Sequence, residues 1–245
     1  MICEKNMNKP NPLAKMILTC LAVLSSFTVA DEYQDPDPFQ DLNRKAHSFN
    51  LKLDDYVARP VAKLYSNTVP EPFKKGIGNF FSNLDELTNI VNDLLQAKFS
   101  QAANDTGRFL INSTIGVGGL FDVAQRAGLP KSEGEDFGQT LGAWGVSEGP
   151  YLMLPLIGPS TLRDAPSKFI DSFANPVSYL DDVSDRNGLR VVSLVSTRAE
   201  LLGLDDVISG DSYLFVRDVY LQRREYLVND GAIQDDFGDL DDYDY

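Results

Sequence analysis

Asn112-Ser113-Thr114-Ile115-Gly116-Val117-Gly118-Gly119-Leu120-Phe121-Asp122-Val123-Ala124 opens the stretch on which the reading of this chain turns. Gly149-Pro150-Tyr151-Leu152-Met153-Leu154-Pro155-Leu156-Ile157-Gly158-Pro159-Ser160-Thr161-Leu162-Arg163-Asp164 closes it. The closing half carries no charge from Gly149 to Leu162. That run is shorter than the ~20 residues one helix needs to cross a bilayer. Pro150, Pro155 and Pro159 lack the amide donor that a regular helix uses. The expectation is a kinked apolar loop or broken helix held by the protein around it. Irregular backbone at membrane depth persists only when buried in protein or lining a cavity.

Outward from that stretch, the chain has 245 residues, of which 43% are hydrophobic. This is enough for one domain with a sizeable core. No segment beyond the N-terminal region reaches 18 uninterrupted apolar residues, so no ordinary transmembrane helix is expected. The net charge of −14 argues against nucleic acid as a partner and against electrostatic docking on anionic lipid. Residues 1–30 read as a secretory signal: Lys5, Lys9 and Lys15 precede an apolar core from Met16 to Phe27, and Thr28-Val29-Ala30 offers a cleavage site. Both cysteines, Cys3 and Cys20, lie inside it. The mature chain is therefore expected to have neither a disulfide nor a thiolate.

The rest reads as a helical domain over residues 31–230 and an acidic, disordered tail over 231–245. Phe39, Leu42, Ala46, Phe49, Leu53 and Val57 recur at three and four residues, the period of an amphipathic helix. Arg59-Pro60-Val61-Ala62 should kink it. Phe73 to Phe81 reads as a short helix, and Asn83 as the cap of the next. Helical segments are also expected over 99–110, 167–174, 189–202 (stopped by Gly203) and 211–228, with Asp181 to Gly188 as a polar linker. No run of alternating strand residues appears, so the fold class is mainly α, without a β-barrel.

Catalytic patterns fare poorly. Gly145-Val146-Ser147-Glu148-Gly149 fits the nucleophile-elbow pattern of hydrolases. An elbow needs a strand before its serine and a helix after it, and Pro150 and Pro155 follow instead. The single histidine, His47, precedes the serine and reads as a surface or packing residue. Gly116-Val117-Gly118-Gly119 matches no phosphate-binding loop, and reads as a tight turn or close helix packing. No His/Cys cluster indicates a metal, and no cofactor is expected. Arg163-Asp164 is either a salt bridge ending the buried segment or a headgroup contact at a channel mouth. Arg190, on an otherwise apolar helix start, could face a water-filled lumen.

The run Asn112 to Ala124 resembles the signature of the MlaA (VacJ) family. So do Phe137-Gly138-Gln139-Thr140-Leu141-Gly142, Gly149-Pro150-Tyr151 with Leu154-Pro155, and Thr161-Leu162-Arg163-Asp164. Asp37-Pro38, Phe49-Asn50 and Arg59-Pro60-Val61-Ala62 agree with its N-terminal motif. The resemblance implies a compact ring of amphipathic helices in the inner half of the outer membrane, with apolar faces toward lipid and polar walls around a lumen. It also implies removal of misplaced phospholipid from the outer leaflet, with no catalytic residue. The implied partners are phospholipid, a trimeric outer-membrane porin and a soluble periplasmic lipid carrier. A porin-binding scaffold that transports nothing is the alternative.

Tyr151, Leu152, Leu154, Leu156, Leu162, Arg163 and Arg190 are the expected lipid path or gate. Asn43, Phe49, Asn50, Gly116, Gly118, Gly119, Asp122, Gly142, Gly149, Pro150 and Asp164 are the expected structural signature. Many family members carry lipid on a cysteine at the cleavage point. Thr19 before Cys20 departs from that pattern, and cleavage after Ala30 without a lipid anchor is expected.

Overall fold

The computed structural model describes residues 37–207 and 210–232. The signal segment, Cys20 and most of the acidic tail lie outside them. Helices α1 (Gln40–Leu53), α2 (Arg59–Thr68), α3 (Glu71–Leu95), α4 (Phe99–Thr114) and the one-turn α5 (Val123–Arg126) come first. Then follow α6 (Phe137–Ala143), strands β1 (Tyr151–Leu154) and β2 (Gly158–Thr161), α7 (Asp164–Asp171), α8 (Val183–Glu200) and α9 (Ser212–Val228). The fold is mainly α. No helix among the described residues is long and apolar enough to cross a membrane.

The helices pack with polar faces inward. α1 buries Asn43 and His47 while Phe39, Leu42 and Phe49 are exposed. α3 buries Asn83, Glu86, Asn92 and Asp93 and exposes Phe73, Val91, Leu94 and Leu95. α4 buries Asp105, Arg108 and Asn112. Most of these buried polar groups find partners, which offsets the cost of removing them from water. Accordingly Arg108 Nε donates to Glu86 Oε1 at 2.8 Å and Nη2 to Asp122 at 3.2 Å. Thr140 Oγ1 donates to Asn92 Oδ1 at 2.8 Å. The apolar core is small: Tyr151, Met153 and Tyr213, flanked by Ala46, Leu214, Val216, Tyr220 and Leu221.

Five expectations change. The apolar stretch is a β-hairpin, not a broken helix: β1 pairs antiparallel with β2, Tyr151 opposite Thr161 and Leu154 opposite Gly158. Pro155 sits in the turn and Pro159 on the second strand, where a missing donor costs little. The expected kink is a π-helical turn, Asp54–Ala58, just before Pro60; Arg59 N bonds to Asp54 O and carries the chain into α2. The two helices expected either side of Asn83 are one, α3. Asn83 lies buried inside it and donates to Ser113 Oγ at 2.9 Å, so tertiary pairing overrides its capping tendency. The polar linker before Gly188 belongs to α8, because the Asp182 side chain caps that helix by accepting from Ser184 and Asp185 amides. Gly203 does not stop it; the chain tightens into a 3-10 turn, Leu201–Val207. Helix α6, unforeseen, starts at the cap Asp136, which accepts from Gln139 N at 2.9 Å.

Candidate functional site: two cavities beside a strapped hairpin

The hairpin is fixed to α1 by two asparagines. Asn43 Nδ2 donates to Tyr151 O at 3.0 Å, and its Oδ1 accepts from Met153 N at 2.9 Å. Asn50 Nδ2 donates to Leu154 O at 3.0 Å, and its Oδ1 accepts from Leu156 N at 2.8 Å. Each amide therefore does the work of a strand residue on the edge of β1. Seven residues of helix rise about 10.5 Å; three residues of strand rise about 10 Å. The spacing of the two asparagines thus matches the spacing of the backbone groups they serve.

Behind the hairpin, Tyr151 packs edge-on to Tyr213 and Tyr220, with centroids 6.2 and 6.1 Å away. His47 packs edge-on to Tyr213 at 5.7 Å, and its Nε2 lies 3.1 Å from Ser212 Oγ. Burial holds its pKa below the ordinary histidine value. At the hairpin's far end, Asp164 collects three partners. Arg163 Nε donates to it at 2.8 Å, Tyr220 Oη at 2.8 Å, and Arg224 Nε lies 2.7 Å away. Arg224 also bridges to Asp136 at 2.6 Å. These cations hold Asp164 and Asp136 below the usual carboxylate range despite their burial.

Two cavities open beside this network. The first, about 600 Å³, lies between α3, the start of α6, α7 and α8; Leu84, Asp85, Asp171, Leu189 and Arg190 are among its walls. The second, about 310 Å³, lies against α9 and includes Tyr220, Arg223 and Arg224. Asp136, Lys168 and Asp171 belong to the walls of both. Asp171 accepts from Phe137 N at 3.0 Å and from Asn92 Nδ2 at 3.1 Å. Burial pushes its pKa up to about 6. Partial desolvation lowers Lys168.

The residues expected to form a lipid path are distributed. Arg190 lines the first chamber, with Nη2 3.3 Å from Ser178 Oγ. Tyr151 is fully buried in the apolar core, and Arg163 is buried against Asp164. Both lie in the packing behind the chambers and outside the chamber walls. Leu152 and Leu154 are half-buried on β1, and Leu162 is exposed just beyond β2. Leu156 is exposed at the hairpin tip, with a left-handed φ of 68°. Lys168, Asp85 and Asp171 were not anticipated; they are scattered charges in segments read as ordinary amphipathic helix.

The expected signature residues close the surrounding packing. Asp122 caps α5 and accepts from Asn112 Nδ2 at 3.1 Å. A side chain at Gly116 would meet Phe121 O at 2.3 Å. Gly119 has φ +90° and would strike Asn83. Gly118 shares that left-handed turn. Gly142 lies against Val228 and Arg163, and Gly149 against Leu162. Pro150 O accepts from Leu162 N at 3.0 Å, continuing the hairpin. Phe49 faces outward. Ser147 lies between α6 and β1, with a helix before it and a strand after it, the reverse of a nucleophile elbow. Among the described residues no cluster of His, Cys, Asp and Glu is arranged to hold a metal ion.

Comparison with known proteins places this arrangement. The Escherichia coli (strain K12) protein described as "Intermembrane phospholipid transport system lipoprotein MlaA" is 37% identical over 91% of this chain and 95% of its own length. The Haemophilus influenzae protein of the same description is 31% identical over 89% and 92%. An uncharacterized Rickettsia felis protein is 39% identical over 78% of each chain. A solved structure described as "Structural basis for maintenance of bacterial outer membrane lipid asymmetry" superposes with a TM-score of 0.71 at 40% identity, over 79% of this chain and 99% of its own. Residues 35–227 match the family described as MlaA lipoprotein, and the chain belongs to that family.

Proposed function

We propose that this protein moves phospholipid out of the outer membrane, maintaining the membrane's lipid asymmetry, and delivers it to a soluble periplasmic carrier. The observation that carries the reading is the inverted arrangement of the helices. Charged and amide side chains of α1, α3 and α4 are buried while large apolar ones are exposed. Large apolar side chains exposed on helix after helix suit contact with a membrane or partner. Lipid tails are a favourable environment for such a surface, and the polar interior then shields a route for a headgroup. The helices form a ring lying in the inner half of the membrane, and a trimeric porin holds it there.

The two chambers supply the route. A headgroup enters among the polar walls of one chamber and passes the Asp136, Lys168 and Asp171 trio into the other. The acyl tails stay against apolar wall residues such as Leu84, Leu189 and Leu227. The exposed hairpin tip, Leu156 and Ile157, flanks the path with apolar surface. No bond in the lipid is made or broken, so the chain acts as a conduit and not as a hydrolase.

The experiment is transfer of labelled phospholipid from vesicles bearing the protein and its porin to the purified carrier. Labelled intact lipid on the carrier, with no free fatty acid, is the expected result. Porin binding without transfer would reduce the protein to a scaffold, and released fatty acid would restore the hydrolase.

A further inference from the structure

We propose that the conduit selects a zwitterionic, amine-bearing phospholipid headgroup over a net-anionic one, with Lys168 holding the phosphate and Asp85 the amine. The inference rests on the transport reading above and specifies its cargo.

The argument starts from which wall charges are already neutralised. In the first chamber, Glu135 pairs with Lys98 at 2.9 Å and Asp136 with Arg224 at 2.6 Å. Those acids have strong cationic partners. Asp171 is held by an amide N–H and an asparagine, both uncharged donors, so its charge is not cancelled. Asp85 is exposed and makes no ion pair among the described residues; Lys131 and Glu86 are the charged groups that act on it.

The cations show the same division. Lys168 is exposed, donates to Pro159 O at 3.2 Å and makes no ion pair among the described residues. Its charged surroundings are Asp164, Asp136 and Arg224, and Arg224 is itself committed to the other two. Arg190 has the hydroxyl of Ser178 as its partner. Two uncancelled carboxylates and two uncancelled cations therefore line one chamber. That is the complement of a phosphate with an ammonium attached. A headgroup with phosphate and no amine satisfies the cations and leaves Asp85 and Asp171 repelling it, which is discrimination by an unfavourable contact. Lys168 stands in the wall common to both chambers, so a phosphate crossing between them meets it.

The test uses the full chain in its porin complex, equilibrated with vesicles of equal phosphatidylethanolamine and phosphatidylglycerol. The complex is re-isolated, and its bound lipid is counted by mass spectrometry. The porin alone serves as the blank. The expected ratio favours the ethanolamine lipid about threefold, the scale of one screened ion pair. Asp85→Asn should bring that ratio toward one. Lys168→Gln should lower the total several-fold, and Lys168→Arg should restore it. A ratio of one in the unsubstituted protein, or an unchanged ratio in Asp85→Asn, overturns the selectivity. The same samples are assayed for transfer to the carrier. Equal transfer of both lipids rejects the selectivity and leaves transport standing. Absence of any transfer rejects transport and the selectivity with it.

Discussion

Asn50 holds the backbone of Leu156: its Oδ1 accepts the Leu156 amide at 2.8 Å, at a residue whose φ is 68°. A β-strand's turn is thus kept in a left-handed, non-glycine conformation by a helix side chain 106 residues earlier. Such a conformation costs on the order of 1 kcal/mol for a leucine, and the bond from α1 offsets it. The hairpin is therefore positioned by α1 as well as by its own strand pairing.

Asn50→Ala removes both of that residue's bonds to the hairpin, and Asn43→Ala removes the pair at the buried end. A net hydrogen bond is worth about 1 kcal/mol, and an orphaned buried partner costs about 1–3 kcal/mol. Asn43→Ala should lower stability by about 2–4 kcal/mol, and the part-exposed Asn50→Ala by about 1–2 kcal/mol. Hydrogen exchange of the Met153 and Leu156 amides reads this directly. Unchanged protection in both variants would show that the hairpin stands without α1.

Leu156→Asn is expected to fold normally, because asparagine enters the left-handed region more readily than leucine. It places an amide on the apolar hairpin tip. With normal abundance and normal porin co-purification, cells carrying it should accumulate surface-exposed phospholipid. The same outcome is expected of Leu154→Asn, with some loss of stability because Leu154 is half-buried. If both variants act only by lowering abundance, the hairpin is packing and the lipid route lies elsewhere.

Asp93 predicts a pH dependence. It is fully buried, and neither carboxyl oxygen has a hydrogen-bond donor among the described residues. Burial first, then the neighbouring Asp105 and Glu135 carboxylates, raise its pKa to about 7, against the pull of Lys98. A carboxyl whose folded pKa lies above its unfolded value is favoured by folding while protonated. Its stability contribution is full below the unfolded pKa near 3.8 and is lost as pH rises toward 7. Asp93→Asn should therefore gain thermal stability over the unsubstituted chain as pH moves from 4 to 8. Parallel curves for the two proteins would show that Asp93 does not carry the buried proton.

Arg224 is the cation on which Asp136 and Asp164 both depend. Arg224→Met should cost about 1–3 kcal/mol, since buried Asp164 keeps Arg163 but loses its second cation and part-exposed Asp136 loses its partner. Adding Asp136→Asn and Asp164→Asn should recover part of that loss. Equal unfolding midpoints for Arg224→Met and the unsubstituted chain would remove the ion network from the account.

Ser147→Ala should leave lipid transport and envelope integrity unchanged, because the serine follows a helix and precedes a strand. Loss of transport at normal protein level would reopen hydrolysis.

The mainly helical fold was legible largely from period, since the apolar residues of α1 and α3 recur at helical spacing. The hairpin was not legible. Three prolines in an apolar run argue against a helix, but β1 pairs with the short, proline-bearing β2, and its other edge is held by asparagines on α1, far away in sequence. Asn83 misled for a related reason: a residue that prefers caps is held in mid-helix by Ser113 across the interface with α4. Arg190 could be suspected from its charge on an apolar face. Lys168, Asp85 and Asp171 could not, because their meeting around one cavity depends on how α3, α7 and α8 pack, and each alone looks like a solvated helix charge.

The central claim, that phospholipid passes through the two chambers, is tested most directly by plugging one of them. Ser193 is a half-buried wall residue of the first chamber, and Ser193→Trp fills that space without touching the ion network around Arg224. The measurement is the rate at which labelled phospholipid reaches the carrier from vesicles bearing the variant and its porin, with folding verified by thermal unfolding. A folded, porin-bound variant whose transfer rate falls at least about tenfold, equivalent to about 1.4 kcal/mol in the barrier, is the predicted result. Transfer at the unsubstituted rate through a folded, plugged protein would contradict it.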